Sequence, residues 1–154
     1  MNIVKIISGG QTGADRAALD AAIACGVPHG GWCPQGRLAE DGPIAECYEL
    51  QEMEEVDYPA RTRANVVAAD LTLVFSHGPL TGGSLLTQQF AEELGKPCVH
   101  IDLSEGCGGQ EICARLCNRL PSIGSFVLNV AGPRASGDPQ IYDAVYEQML
   151  RLLS

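Results

Sequence analysis

Short apolar runs rich in β-branched residues alternate with longer alanine- and leucine-bearing stretches along the chain, and this alternation restricts the fold more than any other feature. Strands that alternate with helices call for a parallel sheet covered on both faces. The pattern predicts strands over residues 3–7, 31–33, 48–52, 71–75, 98–102 and 125–131. Helices are predicted over 15–25, 59–69, 84–94, 110–120 and 139–152. Gly26 with Pro28 and Gly95 with Pro97 are helix exits, and Pro59 suits a first helical turn. Residues 34–47, with Pro34, Gly36, Gly42 and Pro43, read as loop. The expectation is an α/β protein with one doubly wound, mostly parallel sheet. At 154 residues, with no linker and no internal repeat, a single domain over 1–154 is expected.

Composition narrows the partners. Hydrophobic residues make up 45% and charged residues 19%, enough apolar content for a packed core. The formal net charge of −9 repels polyphosphate chains at long range, so no nucleic-acid partner is expected. A small anion can still be held locally by backbone N–H groups and one or two arginines. The opening apolar run, Ile3 to Ile7, is too short for a signal-peptide core, and no stretch is long enough to span a membrane. A cytoplasmic location without membrane attachment follows as an expectation.

Seven cysteines carry no C-x-x-C pair and read as reduced, small apolar fillers. Cys113 and Cys117 would share a helix face, but no further ligands stand at metal-site spacing, so no metal site is predicted. Of the three histidines, His100 alternates within a strand as a structural residue, and His77 alone falls in a loop of interest.

Three loops carry the chemistry. Ser8, Gly9, Gly10, Gln11, Thr12, Gly13 and Arg16 lie between the first strand and the first helix. Glycine there admits positive φ and close approach of a ligand, while the helix that follows aims N–H groups and the positive end of its dipole at the site. The run is neither G-x-G-x-x-G nor a loop ending in G-K-S/T, which disfavours hydride and ordinary NTPase chemistry. A second loop, with Gly78, Thr81, Gly82, Gly83 and Ser84, repeats the strand-to-helix arrangement. By strand count the two loops follow strands one and four, which are neighbours in the usual doubly wound order, so they should face each other across the binding crevice. A third segment, 129–136, ends the last strand and offers Arg134 as a bidentate anion contact. Arg37, in the long loop 35–42, is a further candidate. Arg61 and Arg63 share a predicted helix, and one of them could face the crevice. Trp32 is a candidate wall for a planar ring.

These residues also resemble a known family. Gly9-Gly10-Gln11-Thr12-Gly13-Ala14-Asp15-Arg16-Ala17-Ala18-Leu19-Asp20, Gly30 to Arg37 with Glu40-Asp41-Gly42, Pro79 to Gly83, and Asn129 to Arg134 resemble signatures of the molybdenum carrier family. That family is similar to a Rossmann-like group that includes the Lonely Guy phosphoribohydrolases and the proteins called lysine decarboxylase-like. The resemblance implies a carrier of molybdenum cofactor, whose pterin bears a terminal phosphate, or of a nucleotide or an oxyanion. The phosphoribohydrolases carry P-G-G-x-G-T-x-x-E, with the glutamate assisting glycosidic cleavage. Here the run from Leu80 to Gln89 lacks the second glycine–threonine pair and the carboxylate, and Glu92 and Glu93 come a turn later.

The expected function is therefore a carrier or binding protein for a small phosphorylated ligand or oxyanion. The alternative is a nucleotide-metabolising enzyme, such as a phosphoribohydrolase, with Asp15 or Asp70 supplying the carboxylate. A homo-oligomer is also expected, with the cysteine-bearing helix 110–120 as one surface for pairing.

Overall fold

The computed structural model describes residues 2–106, 108–120 and 124–154. The chain runs β1 (Asn2–Ile7), α1 (Ala14–Ala24), β2 (His29–Gly30), β3 (Trp32–Cys33), β4 (Leu38–Ala39), β5 (Gly42–Pro43), β6 (Gln51–Glu52), α2 (Tyr58–Ala68), β7 (Leu71–Ser76), α3 (Gly82–Glu93), β8 (Cys98–Asp102), α4 (Gly109–Arg119), β9 (Ser125–Ala131) and α5 (Ile141–Leu153). A 3-10 turn, Leu103–Glu105, follows β8.

Five strands form one wholly parallel sheet in the order β2-β1-β9-β7-β8. The expected adjacency of the strands before the two glycine-rich loops is overturned. The last strand, β9, lies between them, paired with β1 through Ile6↔Leu128 and with β7 through Leu71↔Leu128. Placing the β9–α5 unit ahead of β1 would turn the order into 3-2-1-4-5, the doubly wound order. The sheet thus has the usual architecture with the chain opened at a different connection. Strand counting from the N-terminus misses this because each parallel pairing is satisfied equally well wherever the chain ends fall.

Two short strands were also placed differently from expectation. The sheet's edge is the pair His29–Gly30, whereas Trp32–Cys33 leaves the sheet and pairs in parallel with Gln51–Glu52. Inside the expected loop 34–47, Leu38–Ala39 and Gly42–Pro43 form a small antiparallel hairpin. Such two-residue strands carry too little side-chain pattern for period-two reading to detect.

Every residue of β7 is buried, which requires cover on both faces. Alternate residues Leu71, Leu73 and Phe75, with Phe126, Leu128 and Val130 of β9, point into one core cluster. There they meet Ile141, Val145 and Met149 of α5, Ile112 and Leu116 of α4, and the alanines of α1. Ala14, Ala17, Ala18, Ala21 and Ala22 are all fully buried, so small side chains let α1 lie close to α5 and the sheet. The opposite face, under the packed pair α2 and α3, is more polar. Thr72, Ser76 and Asn129 are buried there, as are Asn65, Ser84 and Thr87, and Asn129 Nδ2 donates to Thr72 Oγ1 at 3.3 Å.

Asp57 caps α2 by accepting from Ala60 N at 2.8 Å, with Pro59 in the first turn as expected. Among the described residues, no helix is long and apolar enough to cross a membrane.

Candidate functional site

A cavity of about 570 Å³ opens at the carboxyl ends of β1, β9 and β7. Its centre is the switch point of the sheet. From β9 the chain passes to α5 on the α1 side, and from β7 to α3 on the α2 side, so the two connections diverge and leave a crevice. The second and third loops therefore flank the switch point, and the first loop closes the neighbouring side.

Of the expected site residues, Gly9, Gln11, Thr81, Gly82, Gly83, Ser84 and Arg134 line this cavity. The N–H groups of the first turn of α3, beyond β7, are the open ones. Thr81 is the N-cap residue of α3 and makes no side-chain cap hydrogen bond. A Cβ built on Gly83 would meet nothing within 4 Å, although its backbone conformation does not demand glycine. Among the described residues neither packing nor φ explains glycine at this position, and Gly83 lines the cavity.

The first loop is built differently. Its amides are largely taken by the chain itself: Gly10 N donates to Ser8 Oγ, Gln11 N to Asp15 Oδ2, Thr12 N to Gln11 Oε1, and Ala14 N to Pro133 O. A Cβ on Gly13 would fall 2.4 Å from Pro133 O, so this glycine (φ +82°) lets the third segment close over the start of α1. Ser8, fully buried, donates through Oγ to Asp15 O. Thr12 accepts from Ala135 N at 3.1 Å and donates to Glu40. These contacts hold the first loop as scaffold, with Gly9 and Gln11 showing at the cavity wall.

Two expected arginines point elsewhere. Arg16 donates to Gly10 O and pairs with Asp41 at 2.8 Å. Arg37, at φ +53°, donates to the carbonyls of Ile44, Ala45, Tyr48 and Leu50 and so organises its own long loop. Gly78 lies outside the cavity lining, its N–H donating to Asp102 at 2.8 Å. Trp32 is not among the lining residues either; its backbone N–H and C=O are both engaged by the Asn65 side chain.

Arg61 is the cation on α2 that faces the cavity, while Arg63 is exposed. Arg61 Nη1 lies 3.3 Å from Asp15 Oδ2, and both side chains are almost closed to solvent at 12% and 8% exposure. Burial pushes the Asp15 carboxyl above its usual value, opposed by the Arg61 charge and by the Gln11 N–H. Asp70 is remote from this site: it accepts from Val127 N at the amino end of β7. Glu92 and Glu93 are exposed on α3 and absent from the lining. The only carboxylates lining the cavity among the described residues are Asp15 and Asp138.

His77 Nδ1 lies 2.6 Å from Asp138 Oδ2, joining the second loop to the turn that precedes α5 across the cavity mouth. His100 sits beside Ser76, with Nε2 2.6 Å from Ser76 Oγ. Ser76 Oγ also lies 2.6 Å from Gly78 O, to which it donates, so His100 is the donor to Ser76 and does not activate that hydroxyl. Thr62, Asn65, Thr87, Asn129 and Gln140 complete much of the polar wall. No local motif marks them, because they come together only when α2, α3 and β9 pack. Among the described residues no group of three or more His, Cys, Asp or Glu side chains is placed to hold a metal ion.

The comparisons with known proteins agree with this architecture. A solved structure from Syntrophus aciditrophicus SB, described as a "Putative molybdenum carrier protein", shares 52% identity with a TM-score of 0.92, over 99% of this chain and 96% of that one. No curated protein matches. Residues 6–153 match the circularly permutated YpsA SLOG family, in keeping with a last strand that occupies the first position of the doubly wound order. The chain belongs to that family.

Proposed function

We propose that this protein is a carrier or binding protein that holds a phosphorylated small molecule or an oxyanion, molybdenum cofactor among them, in the cavity at the switch point. One observation carries the reading: the uncapped first turn of α3, with Gly83 facing empty space, opens into the same cavity as Arg134. Free N–H groups at a helix N-terminus favour an anion. Among the described residues Arg134 has no carboxylate within ion-pair distance, and its guanidinium stacks 5.7 Å from the Tyr58 ring centroid. The name borne by the relative at 52% identity points to molybdenum as the cargo's context. Residues of this cavity would hold the cofactor's phosphate through the α3 amides and Arg134. The test is thermal unfolding with nucleoside monophosphates, phosphorylated pterins and molybdate. A bound ligand raises the midpoint by mass action; a midpoint unmoved by every one of them sinks the proposal.

A second reading, a nucleotide-metabolising enzyme, is favoured by one feature. Asp15 lies at the cavity wall as one of the two carboxylates there among the described residues, with burial pushing its carboxyl above the ordinary value. Release of free base from nucleoside monophosphates would support it, and turnover unchanged in Asp15→Asn would remove Asp15 from the mechanism.

A further inference from the structure

The crevice exists because two connections leave the sheet in opposite directions, β7 turning to α3 and β9 to α5. One side-chain contact spans them. His77, just beyond β7, reaches Asp138, in the turn before α5, with Nδ1 2.6 Å from Oδ2. A carboxylate only accepts, so His77 Nδ1 carries the proton and donates. Both residues line the cavity, and their side chains are 31% and 18% exposed, which sets the pair at the rim.

Each end of this bar is fixed without it. Asp138 N donates to Arg134 O at 3.1 Å, Asp138 O accepts from Ile141 N at 3.1 Å, and Asp138 Oδ1 accepts from Gln140 N at 3.1 Å. Next to His77, Gly78 N donates to Asp102 Oδ1 at 2.8 Å, and Gly78 O accepts from Ser76 Oγ at 2.6 Å. The strands β7 and β9 are themselves paired in the sheet. The link is therefore not needed to hold either segment, and what it adds is a span over the cavity. A partly exposed link to a carboxylate contributes little net stability, as surface ion pairs do, so this one parts readily. Among the described residues no second hydrogen bond holds the His77 ring. With both backbones pinned, the bar opens by rotation of that side chain, a fast motion at an exposed position.

We infer that His77 and Asp138 form a side-chain gate on the cavity, closed when paired and open when the His77 ring swings out, which limits entry by the size of the guest. The gate regulates access to the site proposed above and so rests on that reading.

The experiment places a thiol behind the gate. Ser84 lines the cavity and is 8% exposed, so Ser84→Cys is a small change at a shielded position. Its alkylation by N-ethylmaleimide and by the bulkier fluorescein-5-maleimide is followed by peptide mass spectrometry, with exposed Cys47 in the same sample as the reference. The small reagent should be favoured over the bulky one at least tenfold more at position 84 than at Cys47. Adding His77→Ala should cut that preference fivefold or more by speeding the bulky reagent alone, and Asp138→Ala should do the same. Circular dichroism checks each fold, and His77→Ala decides alone if Asp138→Ala does not fold. Equal preference at positions 84 and 47 overturns the gate, as does a preference unchanged in folded His77→Ala. Equal acceleration of both reagents also overturns it, since that marks general loosening. The labelling needs no bound guest, so each of these results leaves the carrier proposal to its own thermal-unfolding test.

Discussion

The guanidinium of Arg61 occupies the space that a side chain on Gly9 would need: a Cβ there would fall 1.5 Å from Arg61 Nη1. Gly9 is therefore the residue that allows a cation from α2 to reach Asp15 at the start of α1. Gly9→Ala should push Arg61 off Asp15 and lower stability by about 1–3 kcal/mol, the usual range for overpacking a filled site. In an Arg61→Met background the same change should cost less. A double-mutant cycle by urea unfolding measures the difference, and strictly additive costs would show that the two residues do not share this space.

The pH dependence of stability should carry the mark of Asp15. Its folded-state pKa is raised above the ordinary 3.8, first by burial, with Arg61 opposing. A group shifted in this direction favours the folded state most fully below the unfolded value, and that contribution is lost as pH rises through the folded value. Unfolding free energies of wild type and Asp15→Asn, measured from pH 3 upward, should therefore shift against the wild type as pH climbs. Parallel curves across this range would mean that the carboxyl is not raised.

Glu40 should behave in the opposite sense. It accepts from Ser136 N at 3.0 Å and Ser136 Oγ at 2.6 Å, and from Thr12, tying the β4–β5 hairpin to the first and third loops. The Ser136 and Thr12 hydroxyls hold its carboxyl below the ordinary 4.5. This tie is present above the ordinary value and is released as pH falls through the depressed folded value. In Glu40→Gln, amide hydrogen exchange at Ala135 and Ser136 should accelerate at neutral pH, with α5 protection unchanged. Unaltered exchange at those two amides would show that the loops hold without Glu40.

Gly83→Val separates a turn from a binding loop. With nothing within 4 Å of the added Cβ and no positive φ at this position, the protein should fold with helical content near wild type. Binding of whichever phosphate probe the wild type takes should be abolished, because the branched side chain projects into the anion's place. Retained affinity would mark the loop as a connection only.

The strand order makes a prediction about connectivity. A permutant that begins at Gly124, with residue 154 joined to Asn2 by a short flexible linker, restores the 3-2-1-4-5 order along the chain. It should fold to the same sheet, since β9 keeps both neighbours and α5 keeps its packing on α1. An unfolded or molten product by near-ultraviolet circular dichroism would show that the native connectivity is itself required.

The local pattern of the chain was sufficient to determine the long elements, because burial writes its own period into them. Leu71, Leu73 and Phe75 alternate along one buried strand, and Gly26 and Gly95 stop two helices where expected. The glycine-rich runs marked the correct edge of the sheet, since a strand-to-helix loop in a parallel sheet lies at the strand's carboxyl end. Tertiary structure alone decided which strand stands between β1 and β7, because parallel pairing depends on the packing of α1 and α5 and not on chain order. It also decided which loop keeps its amides free. Pro133 O meets the first loop from a distant point in sequence and the Asp15 side chain folds back on it, whereas among the described residues nothing lies within 4 Å of a Cβ built on Gly83. Whether a backbone N–H faces its own protein or open space is settled by long-range contacts, and a local sequence motif carries no record of them.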